Sequence, residues 1–219
     1  PVTLSLAVMS MGLTLGFSVP AGAYAATKRG HVMDYIIVLT SQVGMAIPHF
    51  WLGVLLILVF SLQWKLLPPG GFVQWQKSPG QAFLSLLMPA MALSLHRIAS
   101  LTRITRTAML DVLGQDYIRA SRSRGIAQRV VIYKHALKNS LIPIVTVAGM
   151  QFAGLLAGSI VAEEVFALPG LGRLLLQAIG YRDLPLVQGI ALFMAAMVVC
   201  VDFATDILYL ILDPRIRYE

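Results

Sequence analysis

Residues 110–143 read LDVLGQDYIRASRSRGIAQRVVIYKHALKNSLIP and form the longest polar and basic interval in an otherwise apolar chain. A short apolar stripe, Leu110, Leu113 and Tyr117, runs toward Gly125, where the missing Cβ favours a left-handed turn that ends a helix. A second stripe follows it at helical spacing. The interval is therefore predicted to form a helix, a turn at Gly125 and a second helix. The apolar face of that second helix is expected to contain Ile126, Val130, Tyr133, Leu137 and Leu141.

The chain as a whole has the composition of a membrane protein. Of its 219 residues, 58% are hydrophobic and only 12% are charged, whereas a soluble domain carries about 25% charged residues. The net charge of +7 raises the possibility of nucleic-acid binding. The basic residues, however, cluster beside apolar runs, a pattern that reports membrane orientation. Nucleic acid is therefore not an expected partner, and membrane lipid is.

Five stretches are long and apolar enough to cross the hydrocarbon core, which takes about 20 residues. They lie at about residues 2–26, 35–62, 82–101, 141–165 and 186–212. The predicted fold is an all-α polytopic membrane bundle that forms one transmembrane domain over residues 1–219. A polar loop at about 103–140 is expected on one side of the membrane, and loops at about 63–81 and 166–185 on the other.

Orientation follows from the basic residues, because short cytoplasmic loops are enriched in Lys and Arg. One side receives 12 of the 17 basic residues, including all six between 110 and 143 and the two in the terminal DPRIRYE. This side is predicted to be cytoplasmic, which places the C-terminus inside and Pro1 outside. A chain that begins PVTLSLAVMS, outside and without an initiator Met, is expected to lack at least one upstream span.

The segments on the opposite side carry weaker signals. Trp64 and Trp75 stand where an aromatic belt is expected, and the Pro and Gly residues of 64–80 argue against a helix there. Residues 167–185 predict a short apolar helix that does not span. Two pairs of glycines have the spacing that lets helix backbones approach in lipid, Gly12 with Gly16 and Gly154 with Gly158.

Enzyme signatures are absent from the sequence. There is no GxxxxGK[ST] phosphate loop, HExxH zinc motif or GxSxG nucleophile elbow. The four histidines fall on different predicted segments. We therefore predict no catalytic residue, no metal site and no cofactor bound by this chain.

Four carboxylates in or beside the predicted spans deserve separate hypotheses, because intramembrane charges are costly and commonly functional. Asp202 and Asp206, one helical turn apart, suit either a paired-carboxylate protease or proton relay, or pairing with Arg97 or hydroxyls between helices, the interpretation we favour. Glu163 and Glu164 are expected near the outer end of the fourth span. They are candidates for the solute pathway or an outer gate, or alternatively for ion pairs with Arg173 or Arg182.

The basic interval has two interpretations on periodicity alone. A cationic helix can lie on anionic lipid headgroups. Such a helix needs neither the break at Gly125 nor a returning apolar stripe. Two short helices folded at a glycine instead form a compact projection, which suits insertion into a groove of a partner protein. We favour the docking interpretation.

The segment GQDYIRASRSRGIAQRVVIYKHALKNSLIPIVT resembles the cytoplasmic coupling loop of ABC importer permeases of the dipeptide/oligopeptide/nickel family. The resemblance continues through PVTLSLA, IPHFWLG, GSIVAEEVFALPGLGRLLLQAI, RDLPLVQG and the terminal DPRIR. Aligned on Gly125, the Glu-Ala-Ala positions of the general permease motif fall on Arg119, Ala120 and Ser121. The Ile-x-Leu-Pro positions fall on residues 135–138, His-Ala-Leu-Lys. This departure, with Asn139 next and Pro143 further on, is itself similar to the peptide/nickel subfamily.

The resemblance implies a type I ABC importer permease in the bacterial inner membrane, with six spans in a complete member. It implies four kinds of partner: a second homologous permease, two cytoplasmic ATP-binding subunits, an extracytoplasmic solute-binding protein and the lipid. ATP and Mg would be bound by the partner ATPases, so this chain would be a non-catalytic subunit. The residues expected to make the ATPase coupling loop are Asp116, Tyr117, Arg119, Ala120, Ser121, Arg122, Gly125, Arg129, His135 and Asn139.

The cargo is a separate hypothesis. Peptide and nickel importers share these coupling motifs, and di- or oligopeptides are preferred here because the scattered histidines give no support for a metal relay. Nickel or another small solute is the alternative within the family. An intramembrane enzyme that uses Asp202 and Asp206 and an ion-coupled carrier are the alternatives from other classes.

Overall fold

The computed structural model describes residues 1–212 of the chain, and the side chains of residues 1–207. Every regular element in this range is helical, so the predicted all-α class is confirmed. The terminal DPRIRYE, with Arg215 and Arg217, lies outside the described residues. The helices are α1 (Val2–Thr27), α2 (Val32–Ala46), α3 (His49–Leu56, continued as a π-helix at Ile57–Gln63), α4 (Pro79–Leu113), α5 (Asp116–Ser123), α6 (Gln128–Gly158), α7 (Ile160–Val165), α8 (Leu171–Gly180) and α9 (Leu184–Leu212).

Four of these helices are long and apolar enough to cross a membrane: α1, α4, α6 and α9. The predicted second span corresponds to α2 and α3, which together count as a fifth only as a bent pair, with 95° between them. The break falls at Ile47, whose extended backbone (φ −78°, ψ 121°) precedes Pro48. A proline disfavours the helical conformation of the residue before it and donates no N–H. The span predicted over about 35–62 is therefore made of two helices with a bend between them.

The central packing unit is the pair α1 and α4. Small residues let the two backbones approach: a Cβ at Gly22 would lie 2.6 Å from the carbonyl oxygen of Thr102 and from the Thr105 side chain. Leu6, Leu86 and Leu93 are fully buried in the same core. The predicted close approach at Gly12 and Gly16 is not found within the chain, because both glycines face open space. The interface uses the opposite, Ser- and Thr-containing side of α1.

The segment between α3 and α4 is non-helical, as predicted for its Pro and Gly content. It is nevertheless tied to the helices. Gly71 donates its N–H to the carbonyl of Phe166 at 2.8 Å, and the Trp75 indole Nε1 donates to Ser5 Oγ at 3.1 Å. The short helix expected within 167–185 is α8, ten residues long. These contacts bring the two outer loops and the start of α1 together.

Helix α4 is longer than its predicted span, since it continues without a break to Leu113. Leu110 and Leu113 therefore belong to the end of α4, and Tyr117 to a separate helix, α5. The prediction that these three residues form one stripe on one helix is wrong. The helix ends at Gly114, and α5 begins again at Asp116 with a new helical phase.

Candidate coupling segment and buried carboxylates

The coupling segment, residues 116–139, comprises α5, the turn at Gly125 and the start of α6. One side chain anchors α5: Ile118 is fully buried, while both of its chain neighbours are exposed. It enters a small hydrophobic cluster supplied by the ends of three long helices. The other buried members are Ala23 and Ala26 of α1, Met109 and Val112 of α4, and Val131 and Ala136 of α6. Burial of one such aliphatic side chain contributes about 1.5–3 kcal/mol.

The turn at Gly125 has the geometry of a Schellman motif. Gly125 has φ +76°, donates its N–H to the carbonyl of Arg122 at 3.0 Å, and is followed by Ile126, whose N–H reaches the carbonyl of Ser121 at 3.3 Å. These are the two hydrogen bonds that close a helix through a left-handed residue. The predicted helix stop at Gly125 is confirmed.

The apolar face predicted for the second helix is confirmed only in part, since Ile126 and Leu137 pack against the cluster around Ile118. Val130 and Tyr133 are exposed, and the side chains that turn inward are Val131, Ala136 and Ser140. The reason is a π-helical stretch over Val131–Leu137, which widens the turn. Ala136, five positions after Val131, therefore lies on the same buried side. The usual four-residue spacing resumes at Ser140. Sequence periodicity assumes a uniform helix and cannot register this shift.

The residues expected to contact an ATPase lie together on the coupling segment. Two polar contacts define its shape: Asn139 Nδ2 donates to the Tyr117 hydroxyl at 2.6 Å, across the turn, and Arg119 pairs with Asp116 at 3.4 Å. All but two of the expected residues are exposed. The exposed ones are Asp116, Tyr117, Arg119, Ala120, Arg122, Gly125, Arg129 and Asn139, and the partly buried ones are Ser121 and His135. Their contact with an ATPase stays a prediction.

A buried ion pair that the sequence analysis did not single out lies near this segment. Arg106 Nε and Nη2 donate to the two carboxylate oxygens of Asp34 at 2.6 and 2.8 Å, and the Gly30 N–H donates to the same carboxylate at 3.1 Å. Asp34 is 3% exposed. The pair joins the first turn of α2 to the lower part of α4. The only signal in the sequence was an acidic residue placed immediately before an apolar run.

Glu163 lies at the opposite end of the bundle and is fully buried. Its carboxylate accepts hydrogen bonds from Thr3 Oγ1 at 2.7 Å, Ser159 Oγ at 3.1 Å and the Arg173 N–H at 3.1 Å. Thr3 Oγ1 accepts in turn from the Leu171 N–H at 3.0 Å. The carboxylate therefore joins α1, α7 and the first turn of α8, where a helix N-terminus favours negative charge.

Two glycines make room for this carboxylate. A Cβ at Gly170 would overlap the Glu163 carboxylate, and one at Gly172 would lie 3.0 Å from its Oε2. Glu164, by contrast, is exposed and forms an ion pair with Arg173 at 3.5 Å, which was the alternative expected for it. A role of Glu163 or Glu164 in an outer gate stays a prediction, and for Glu163 it would act through the helices that the residue joins.

Asp202 and Asp206 are exposed on α9. In the part of the chain that the structure describes, neither forms an ion pair or a side-chain hydrogen bond, so the favoured pairing with Arg97 or hydroxyls is not found. Helix α9 instead contacts α6 through Thr205, which fills the space above Gly149. Most other side chains of α9 between Leu184 and Ile207 are exposed.

A model of the family described as "Binding-protein-dependent transport system inner membrane component" matches residues 18–218. Curated relatives match the chain over its length. A putative peptide transport system permease protein of Brucella abortus is 43% identical over 219 residues, which are the whole of this chain and 70% of that protein. The dipeptide transport system permease protein of Escherichia coli is 38% identical over 99% of this chain and 71% of its own length.

An oligopeptide transport system permease protein of Bacillus subtilis is 40% identical over all of this chain and 70% of that protein. Among solved structures, the inward-facing MetNI methionine ABC transporter matches with a TM-score of 0.75 at 20% identity, covering 97% of this chain and 93% of that one. An amino acid ABC transporter matches with a TM-score of 0.64 at 17% identity, over 94% and 89% of the two chains. At these identities the two structures establish the fold.

Proposed function

This chain belongs to the family of binding-protein-dependent transport system inner membrane components, and we propose that it forms the solute pathway of an ATP-driven importer of di- or oligopeptides. Its family makes it an ABC importer permease component, a transport subunit and not an enzyme. The observation that carries the cargo proposal is the 38–43% identity, over essentially the whole chain, to proteins named as peptide, dipeptide and oligopeptide permeases.

The proposed coupling mechanism uses the anchor of α5. In the proposal, a cytoplasmic ATPase grips the exposed basic face of the coupling segment, and ATP binding closes two such ATPases. Because Ile118 is held by the ends of α1, α4 and α6, a displacement of α5 would move these three helices together. Helix α6 continues from the coupling turn for 31 residues, about 46 Å at 1.5 Å per residue. It is therefore long enough to carry the motion across the bilayer and drive alternating access.

The remaining partners are part of the same proposal. A second permease would pack on the uncovered side of α9, two ATP-binding subunits would supply the ATP and Mg site, and an external solute-binding protein would deliver the cargo. The basic coupling segment and the C-terminus would face the cytoplasm, as the distribution of Lys and Arg favours. The lipid covers the remaining apolar surface.

Nickel is the second candidate cargo within the family. Among the described residues no three His, Cys, Asp or Glu side chains lie close enough to hold a metal ion. That observation favours peptide over a metal that would need ligands along its path. The ion-coupled carrier has no observation in its favour.

The experiment is uptake by proteoliposomes that contain the chain, its second permease and the two ATPases, with the binding protein outside and ATP inside. We expect ATP-dependent accumulation of a radiolabelled dipeptide and none of ⁶³Ni²⁺. Accumulation of nickel without dipeptide would replace the cargo proposal. Uptake of either solute without the ATPases would contradict the ATP-driven importer.

A further inference from the structure

A polar cavity of about 480 Å³ lies among α3, α4 and α6, inside the membrane-spanning part of the fold. The proposed function so far gives it no role. Its polar lining consists of His49, His96, Arg97, Ser100 and Gln151, and Gly154 and Gly158 leave the wall of α6 open. Polar groups at such a depth are costly unless they are used.

Arg97 brings a guanidinium group to the cavity. Its guanidinium donates to the carbonyl of Leu93 on its own helix at 2.9 Å. No carboxylate in the described part of the chain pairs with it. Its Nη2 points toward α6, where a Cβ at Gly158 would lie 4.0 Å away. Because a guanidinium has five N–H donors, most of them remain available to a group in the cavity.

Two further polar atoms of this lining are buried without a hydrogen-bond partner, His49 Nε2 and Gln151 Oε1. A buried polar atom left unsatisfied costs about 1–3 kcal/mol, so such atoms commonly mark a place for a ligand. The neighbouring His96 is already engaged, since its Nδ1 lies 3.1 Å from the carbonyl of Met45 at the break between α2 and α3. The unpartnered atoms therefore belong to α3 and α6, which line the same cavity as Arg97 of α4.

We propose that this cavity binds the C-terminal carboxylate of a peptide during its passage, with Arg97 as the residue that pairs with it. This inference rests on the proposed function. Arg97 and the His49 Nε2–H would donate to the carboxylate, and the Gln151 oxygen would accept a peptide N–H. A fixed guanidinium suits the planar geometry of a carboxylate and repels a metal cation. The two histidines of the cavity are therefore not a nickel site.

The cavity has a continuation toward the coupling segment. A second cavity of about 480 Å³ shares Ser100 with the first and adds Arg103, Thr107 and Asp111 of α4. His96, Ser100, Arg103, Thr107 and Asp111 follow one another at three- or four-residue steps, which places them on one face of the helix. That face forms a polar track from the carboxylate site to the cytoplasmic end of α4.

The test is uptake by the complete reconstituted transporter of a dipeptide and of the same dipeptide with a C-terminal amide. One binding protein serves every variant, so its own preference cancels when each acid-to-amide ratio is divided by that of the wild type. We expect R97Q to lower the relative acid-to-amide uptake ratio about ten-fold, which is the effect of losing one charge-assisted hydrogen-bonded pair. R97K should restore part of this ratio. K28Q, which removes one positive charge at an exposed residue just after α1 that lines neither cavity, should keep the ratio.

Two results would overturn the site. An unchanged ratio in R97Q would remove Arg97 from cargo recognition, and an equal loss in K28Q would show a general effect of charge. With either result, dipeptide uptake by the wild type would still support the proposed function. A wild type that takes up no dipeptide would instead contradict the proposed function itself.

A second variant keeps the inference testable if R97Q does not assemble. Gly154 lines the cavity, and a Cβ there meets nothing within 4 Å, so the side chain of G154L can enter the cavity from the wall of α6. We expect G154L to reduce uptake at least several-fold with assembly intact. G80L, at the equally open start of α4, is the matched control and should transport normally. Equal transport by G154L and G80L would show that cargo does not use the cavity.

Discussion

Gly125 and Gly114 flank α5, and they differ in the sign of the backbone angle φ, which decides whether glycine is required. Gly125 has φ +76°, where a Cβ collides with the following carbonyl at a cost of about 1–2 kcal/mol. Gly114 has φ −79°, which any residue adopts, and a Cβ there meets only carbonyl oxygens at 3.5 Å or more. Apart from its own chain neighbours, no atom lies within 4 Å of a Cβ at Gly125. The requirement for glycine at 125 is therefore conformational.

The matched pair G125A and G114A tests whether the turn transmits the motion of the ATPases. We expect G125A to lower peptide uptake per ATP hydrolysed several-fold, and G125V to lower it further, because the turn that fixes α5 relative to α6 is strained. G114A should retain the wild-type ratio. Uptake and hydrolysis measured in the same proteoliposomes give the ratio directly. Normal coupling in G125V would count against the coupling segment.

The ion pair between Asp34 and Arg106 provides a second prediction. Removing one partner of a buried ion pair leaves the other charge uncompensated, at a cost on the order of 3 kcal/mol. We expect R106Q and D34N each to lower the Tm of the detergent-solubilised complex clearly, with the double variant less destabilised than the sum of the two. D116N, which removes the exposed pair with Arg119, should leave the Tm within error. Additive effects of D34N and R106Q would contradict a direct interaction.

At the residue scale, the sequence could predict Gly125 because its role is local. A missing Cβ after a helical run points to a left-handed turn without knowledge of the fold. Ile118, Asp34 and Thr3 could not be identified in this way. Their importance depends on partners between 72 and 168 residues away, or on a cluster formed by three helices. Only the fold brings those partners together.

At the element scale, the five apolar stretches were predictable from length and composition, since each must cover about 20 residues. The irregularities within them were not. The bend before Pro48 had a local signal in the proline, whereas the π-helix at Val131–Leu137 had none. That π-helix rotates the buried face of α6 and explains why Val130 and Tyr133 of the predicted apolar stripe are exposed. It also brings Val131 and Ala136 to the cluster that holds Ile118.

Helix α8 supplies the prediction at this scale, through the adjacent pair Glu163 and Glu164. In E163Q the amide N–H₂ cannot accept a hydrogen bond, so either the Arg173 N–H loses its acceptor or the Thr3 and Ser159 hydroxyls must reverse their role and accept from the amide. We expect faster hydrogen exchange in α8 and a lower Tm. E164Q changes an exposed side chain and should alter neither property. Equal protection of α8 in both variants would show that the Glu163 carboxylate does not hold this helix.

A third substitution separates loss of the hydrogen bonds from loss of space. G170A leaves Glu163 intact but places a Cβ on its carboxylate. It should therefore reproduce the effect of E163Q on α8. G180A at the other end of the same helix meets nothing within 4 Å and serves as the control.

At the scale of the whole molecule, α9 is the helix least covered by the rest of the chain. It carries exposed Phe193, Val199 and Phe203 beside Asp202 and Asp206. Apolar side chains suit lipid, but two carboxylates one turn apart do not. The second permease of the proposed function would cover them. The family resemblance could predict that such a partner exists, but not which helix is left open for it.

Cys200 lies on this uncovered part of α9, is exposed, and is the only cysteine of the chain. We expect a membrane-permeant maleimide to label it rapidly in the isolated subunit and at least several-fold more slowly in the complex with the second permease. Labelling of the denatured complex provides the reference for full reaction. Equal rates in the subunit and the complex would place the partner on another surface.

The proposed coupling mechanism requires residues 116–139 to project into the cytoplasm and to bind an ATPase. The most direct measurement is photo-crosslinking in the assembled transporter from a photoreactive residue in place of Arg122, with Tyr181, 86% exposed beside α8, as the comparison site. We expect a crosslink from position 122 to an ATPase subunit and none from position 181. Crosslinks from position 122 to lipid or to the external binding protein, with no ATPase adduct, would contradict this mechanism.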